Sequence, residues 1–341
     1  MADPPVPAPW TPFPLPSIPN PWPAGTAPNT WDPSQLLPYL ESTLAPQIKQ
    51  AFGQSISLSD LLDLFKRFGT NNLTDQELVR LIEMGIYFAR TNLNWQSSAA
   101  NLEHWLDAGI STTPWTMSSD LVKNRAPITD ALCGEYYDLI VAGAQKRIKA
   151  NPGDLFPSTA TTIVGPLGEV IKLTPAASPL AAGGEETLYI EQSVATSGDH
   201  TEDIYNAVAA VWLDSRVKVK SEKLATGGWQ VTILEWECWF WDDYDWGLSG
   251  QSVVIPIHLF DRLGIPNEQR DLFKTYFGID PSVLDEIKIA DKTMLQIEGK
   301  EVNMPDGKVL HPKAYRIYGD STWRFDSAAE PCSRPMTWVV Q

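Results

Sequence analysis

The residues best suited to chemistry form an acidic group at the end of an aromatic segment. Residues 228–250 carry five of the 14 tryptophans, and Asp242, Asp243 and Asp245 follow most of them. Several carboxylates at the end of an apolar strand are costly, because like charges repel and the loss of water opposes ionisation. A bound cation, backbone N–H donors or water must offset that cost. Residues 242–245 are therefore the first candidate for a catalytic or metal-binding site.

The spacing of these acidic residues is compatible with two kinds of structure. In a strand, Asp243 and Asp245 share one face, whereas Asp242 and Tyr244 share the other. If the chain turns after Tyr244, carboxylates from both faces meet at the strand end, where they could hold Mg²⁺ or Ca²⁺ or divide into an acid and a base. The alternative is an ordinary turn in which aspartate side chains accept hydrogen bonds from backbone N–H groups. The residues alone leave both open.

The segment Asp242-x-Tyr244-Asp245-Trp246 resembles the Asp-x-Tyr-Asp-aromatic motif of the colicin-M-type bacteriocins. Similar acidic-aromatic strings occur in other large bacterial toxins. The resemblance implies a half-barrel domain that uses a divalent metal to cleave the undecaprenyl-pyrophosphate link of lipid II, a substrate at the membrane surface. It further implies that Asp242 and Asp245 bind the metal or act as base, and that Tyr244 orients the substrate. The implied function is a secreted, antimicrobial toxin or effector with phosphodiesterase-type hydrolase activity.

After the motif, the chain departs from that family. The family continues with a His-Arg pair six and seven residues after the second aspartate, whereas this chain has Gln251 and Ser252 there. His258 and Arg262 lie a little further along and are the candidate replacements. We therefore add His258 to the candidate catalytic residues.

A second cluster, residues 199–203, contains His200 between acidic residues. His200 could complete a metal or acid–base site with Asp242 and Asp245. The alternative is the start of a helix, because carboxylates favour the positive end of a helix dipole.

The N-terminal segment, residues 1–33, contains 12 of the 28 prolines with aromatic residues between them. Such proline density prevents helix and favours an extended strap. The aromatic residues suggest that the strap lies on the chain's own body or on a protein partner. This supports an alternative function, a non-catalytic interaction or structural protein, such as a secretion-particle accessory or a glycan-binding module that docks through this segment.

Residues 34–150 are predicted to form a helical domain. The expected helices lie near 34–52, 57–68, 74–92, 97–108 and 128–149, and Thr74 with Glu77 form a capping box for the third. Residues 151–185 are rich in Pro, Gly, Ala and Thr and are predicted to be an irregular linker, with a hairpin near 163–173.

Residues 186–341 are predicted to form a β-rich domain. Alternation predicts strands at 187–194, 216–220, 252–257, 293–297, 314–318 and 322–325, with short helices at 258–264 and 267–277. In the aromatic strand the apolar phase shifts by one residue between Ile233 and Leu234, which predicts a β-bulge. The expected fold is α+β: a helical N-terminal domain followed by a curved antiparallel sheet or half-barrel with inserted helices.

Composition limits the partners and the compartment. The net charge of −16 argues against nucleic-acid binding, which requires concentrated Lys and Arg. The three cysteines have no zinc-site spacing, a disulfide scaffold is not expected at this length, and Cys238 is predicted to be a buried apolar residue. No segment is long and apolar enough to span a membrane, and the N-terminus lacks the features of a secretory signal. We therefore expect synthesis in the cytoplasm and, for a toxin, delivery by a non-Sec route.

Overall fold

The computed structural model describes residues 58–69, 72–149, 160–197, 199, 201–247, 252–256, 271, 274–275, 278–326 and 334–341. The predictions for the strap at 1–33, the helix at 34–52 and the helix at 258–264 lie outside the described residues, and the helix at 267–277 lies largely outside them.

The described helices are α1 Leu58–Gly69, α2 Asp75–Phe88, α3 Gln96–Asp107, α4 Asp120–Lys123, α5 Ala126–Ala131, α6 Tyr137–Ile148, α7 Asp203–Ala207, α8 Pro281–Asp285 and α9 Asp291–Met294, with π-helical turns at Ala89–Leu93 and Leu132–Tyr136. The strands are β1 Trp115–Met117, β2 Thr162–Val164, β3 Val170–Lys172, β4 Glu185–Ala195, β5 Ala210–Lys223, β6 Trp229–Tyr244, β7 Ser252–Pro256, β8 Glu286–Ala290, β9 Val302–Asn303, β10 Val309–Leu310, β11 Tyr315–Gly319, β12 Trp323–Asp326 and β13 Thr337–Val340. No helix in this part of the chain is long and apolar enough to cross a membrane.

The chain divides into two units, and each is built from two separate stretches. The first unit contains Met1–Ile110 and Asp245–Ala314, and the second contains Ser111–Tyr244 and Tyr315–Gln341. This division differs from the predicted succession of a helical domain (34–150) and a β-rich domain (186–341). Helices α5 and α6 belong with the large sheet, because their apolar side chains share its core.

In the first unit, α2 packs against α3, and the predicted capping box is confirmed. The Thr74 hydroxyl accepts the Glu77 N–H at 3.3 Å, and the Glu77 carboxylate accepts the Thr74 N–H at 2.9 Å. Gln296 and Lys300 bind the Asp75 carboxylate at 2.9 and 3.1 Å, which ties the start of α2 to the later stretch of this unit. The strand predicted at 293–297 is wrong, because α9 and the turns after it occupy those residues.

In the second unit, β6 is the centre of a seven-stranded sheet with the order β1-β11-β6-β5-β4. β5 pairs along nearly all of one edge of β6, whereas β13, β12 and β11 share the other edge in succession. The α+β class is confirmed. The sheet is mixed, since β1 runs parallel to β11, and it is not closed into a barrel.

The predicted β-bulge is also confirmed. Lys218 pairs with Glu235 and Val219 pairs with Ile233, so Leu234 is the extra residue. The bulge lets both halves of β6 present apolar side chains to one core, which α5 and α6 cover on that side. The hydroxyl of Tyr136, between these helices, donates to the Leu213 carbonyl of β5.

The two described cysteines differ in their oxidation state. Cys238 is a buried free thiol, as expected, and burial raises its pKa to about 12. Cys133 is disulfide-bonded, which the sequence analysis did not anticipate.

Candidate functional site

The acidic motif lies where β6 ends. Asp242, Asp243 and Tyr244 pair in register with Ile317, Arg316 and Tyr315 of β11. The boundary between the two units falls directly after Tyr244, so Asp245 and Trp246 belong to the first unit and the earlier motif residues to the second.

Asp243 is already neutralised. Its carboxylate oxygens accept two hydrogen bonds from the Arg316 guanidinium, at 2.7 and 3.0 Å. The same guanidinium lies 4.2 Å from the centre of the Trp241 ring. Hydrogen bonding to Asp243 raises the pKa of Arg316 above its ordinary value. The charge of Asp243 is therefore compensated within the fold, by a guanidinium and not by the backbone N–H groups of a turn.

Tyr244 and Asp242 lie together in a half-buried setting. The Tyr244 ring lies 5.2 Å from that of Tyr315, measured between centroids. Burial, assisted by the negative charge of Asp242, raises the pKa of Tyr244 well above the ordinary range. Burial also raises the pKa of Tyr315, and Tyr244 and Asp242 contribute in the same direction. Tyr244 is therefore a neutral phenol at physiological pH, suited to orient a polar group and unsuited to act as a base.

Asp245 takes part in two interactions in the first unit. Its Oδ1 atom accepts the Gly247 N–H at 3.1 Å, which is the turn geometry of the second expectation. Its charge also acts on Glu298. Burial raises the pKa of the Glu298 carboxyl, and the negative charge of Asp245 raises it further, whereas the Trp105 indole lowers it. Two carboxyl groups thus lie close enough to influence each other.

Aromatic side chains and unsatisfied polar atoms accompany this pair. Among the described residues, the Oε2 atom of Glu298 and the Nε1 atom of Trp105 are both buried and make no hydrogen bond of normal geometry, although the indole lies near enough to the Glu298 carboxyl to lower its pKa. The Trp105 ring meets Trp246, the last residue of the motif, edge-on at 6.3 Å. Buried polar atoms without partners are uncommon, and a bound water or ligand is one way to satisfy them.

Sequence reasoning missed Glu298. It lies far from Asp245 along the chain, in a turn region between α9 and β9, and no local motif surrounds it. Only the packing of this stretch against α3 brings the two carboxyls together.

The predicted histidines cannot be placed, since His200 and His258 lie outside the described residues. Asp199, which directly precedes His200 in the sequence, is described, and its Oδ1 atom accepts the Thr201 N–H at 2.8 Å, as in a turn. Within the described ranges, no group of three or more His, Cys, Asp or Glu side chains is placed to hold a metal ion. The Mg²⁺ or Ca²⁺ site with Asp242, Asp245 and His200 stays a prediction.

Comparison with known proteins adds no relative: no family model, no curated protein and no solved structure matches this chain.

Proposed function

We propose that this protein is a hydrolase of the bacterial toxin or effector type, with Asp245 and Glu298 as its acid–base pair. The observation that carries the proposal is the half-buried Glu298 carboxyl, whose pKa is raised by burial and by the charge of Asp245, and whose Oε2 atom makes no hydrogen bond of normal geometry. Pairs of carboxyls whose surroundings differ are a common way for one site to supply both an acid and a base.

The two carboxyls have separate roles in this proposal. Asp245 accepts a proton from the attacking water, and Glu298, whose raised pKa favours the protonated carboxyl, donates a proton to the oxygen of the leaving group as its bond to phosphorus breaks. The raised pKa of Glu298 also reduces the repulsion that a second carboxylate would exert on a pyrophosphate. The roles that the resemblance implies for Tyr244 and Asp242, orientation of the substrate and metal binding, stay a separate proposal, which the acid–base roles of Asp245 and Glu298 do not require.

The proposed substrate is a lipid-linked cell-wall precursor at the membrane surface, as the colicin-M-type resemblance implies. Carboxylate oxygens are the ligands that Mg²⁺ and Ca²⁺ prefer, and Mg²⁺ sites often use only one or two carboxylates together with waters and substrate phosphates. Asp245 therefore also fits the alternative to the base role, that of a ligand of the divalent cation, which would neutralise charge on the phosphate oxygens.

The disulfide at Cys133 supports delivery out of the cytoplasm. Disulfides form and persist in oxidising compartments and are rare in the cytosol. A toxin that acts on a cell-wall precursor meets such an environment outside the inner membrane.

The test is hydrolysis of lipid II by the full-length protein and by two single variants, Asp245→Asn and Glu298→Gln, with Mg²⁺ or Ca²⁺ present. We expect each variant to lose about 100-fold or more of the rate, because loss of a general acid or base costs about that much. Asparagine can still accept the Gly247 N–H, so the turn is retained.

Asp306→Asn is the matched control. Asp306 lies in the same unit, and its Oδ1 atom accepts the Lys308 N–H at 3.1 Å, as Asp245 accepts that of Gly247. The control should keep the wild-type rate. Full activity in Asp245→Asn, or an equal loss in Asp306→Asn, would remove the carboxyl pair from the mechanism.

A further inference from the structure

The large sheet of the second unit has a second face, opposite the core that α5 and α6 cover. On β5 the core face carries Leu213 and Val217, and the second face carries Trp212, Asp214 and Arg216. Because side chains alternate along a strand, the residues that pair with these three on β4 and β6 lie on the same second face.

One half of the second face is occupied by an ion-pair network. The Glu237 carboxylate of β6 binds Arg216 of β5 and Arg324 of β12, and it accepts the Thr322 hydroxyl at 3.1 Å. This network ties three strands together.

The other half carries an aromatic stack in which Trp241 is buried and Trp212 is exposed. The rings of Trp212 and Trp241 are nearly parallel, with centroids 5.5 Å apart and an angle of 13°. The guanidinium of Arg316 on β11 lies over Trp241, 4.2 Å from the ring centre. Trp212 ends the stack and is 37% exposed. Its outer ring face is directed toward β4, an edge strand whose residue opposite Trp212 is the small, exposed Ser193.

Two carboxyls adjoin this stack. Glu191 of β4 pairs in register with Asp214 of β5, one position along the same face from Ser193 and Trp212. Asp214 is fully buried: its Oδ2 atom accepts the Trp241 Nε1–H at 3.0 Å, and its Oδ1 atom has no partner among the described residues. Glu191 is half-buried, which raises its pKa, and the positive charge of Arg316 acts on it in the opposite direction.

We infer that Trp212, Ser193 and Glu191 form a saccharide-binding subsite on the second face of the sheet. A pyranose ring stacks its C–H face on the outer face of Trp212, above the small side chain of Ser193. Its hydroxyl groups bind the Glu191 carboxyl and the Ser193 hydroxyl. Asp214 holds Trp241, and through the stack Trp212, in position from below.

A neutral sugar fits this surface better than an organic cation, which also binds indole rings next to carboxylates. The stack already carries a cation, because Arg316 lies over Trp241. A second cation on Trp212 would share the same stacked π system with it and would be repelled by it. The subsite uses no residue of the proposed hydrolase pair, so the two proposals stand or fall separately.

The test is a calorimetric titration of the full-length protein with three tetrasaccharides: chitotetraose, cellotetraose and maltotetraose. We expect at least one to bind at millimolar concentration or better. Trp212→Ala should weaken that binding about tenfold, because one aromatic contact with its buried area is worth about 1 kcal/mol or somewhat more. Glu191→Gln should weaken it severalfold, and Trp212→Phe should retain most of it.

Lys220→Ala is the matched control, since Lys220 lies on the same face of β5 but at the far end of the strand. It should bind as the wild type does. The inference is overturned if the wild type binds none of the three sugars, if Trp212→Ala binds as tightly as Lys220→Ala, or if tetramethylammonium binds in their place. Circular dichroism of each variant verifies that the sheet is retained.

Discussion

Burial sets the protonation of single carboxyl groups in this protein. Asp214, Glu191 and Glu298 all have raised pKa values, and in each case removal from water is the largest cause. Glu237 shows the opposite outcome: burial opposes ionisation there too, but Arg324, Arg216 and Thr322 outweigh it and lower its pKa. The identity of the residue alone therefore says little about its charge.

Asp214 should make stability depend on pH. Burial and the charge of Glu191 raise its pKa to about 8, from 3.8. The folded state therefore keeps a proton that the unfolded state loses. The stabilisation that this proton gives the folded state is complete below pH 3.8 and is lost as pH rises through about 8. We expect the difference in free energy of unfolding between the wild type and Asp214→Asn to fall between pH 5 and 8, by up to about 1.4 kcal/mol per pH unit. Urea denaturation at several pH values measures it, and parallel pH curves for the two proteins would contradict it.

The organising element is β6, a strand of 16 residues with β5 on one edge and three short strands on the other. Its bulge at Leu234 falls where the partner changes from β13, which ends its pairing at Thr232, to β12, which begins at Glu235. The change of phase and the change of partner thus occur at the same point, and each half of the strand keeps its apolar side toward the core.

Glu237 joins three strands and should be worth more than an ordinary surface charge. We expect Glu237→Gln to lower the free energy of unfolding by about 1–2 kcal/mol, because two guanidinium groups lose their carboxylate while remaining partly solvated. The matched control is Glu235→Gln, two residues earlier on the same face and exposed, which should change stability by less than about 0.5 kcal/mol. Equal effects in the two variants, measured by urea denaturation, would show that the buried network adds nothing.

At the scale of the whole molecule, each unit takes its residues from two distant parts of the chain. The chain passes from the second unit to the first directly after Tyr244, inside the segment that resembles the bacteriocin motif. A substitution that breaks the turn at Asp245 would therefore act on the end of β6 as well as on the chemistry of the segment.

Deletion of residues 1–33 separates the hydrolase proposal from the alternative function that the sequence suggests, a non-catalytic interaction or structural protein that docks through its proline-rich segment. If the segment is a docking strap, we expect the truncated protein to lose a partner that the full-length protein retains in pull-down assays, with lipid II hydrolysis unchanged. Loss of hydrolysis with partner binding intact would instead link the segment to the enzyme.

Local features of this chain were predictable because they depend on residues a few positions apart. The capping box needs only Thr74 and Glu77, and the bulge follows from a one-residue shift between Ile233 and Leu234. The meeting of Asp245 with Glu298, the pairing of Asp243 with Arg316 and the approach of Glu191 to Asp214 join residues on separate elements. Only strand register and helix packing decided these three contacts, because the spacing of two residues along the chain does not tell how far apart they lie in the folded protein.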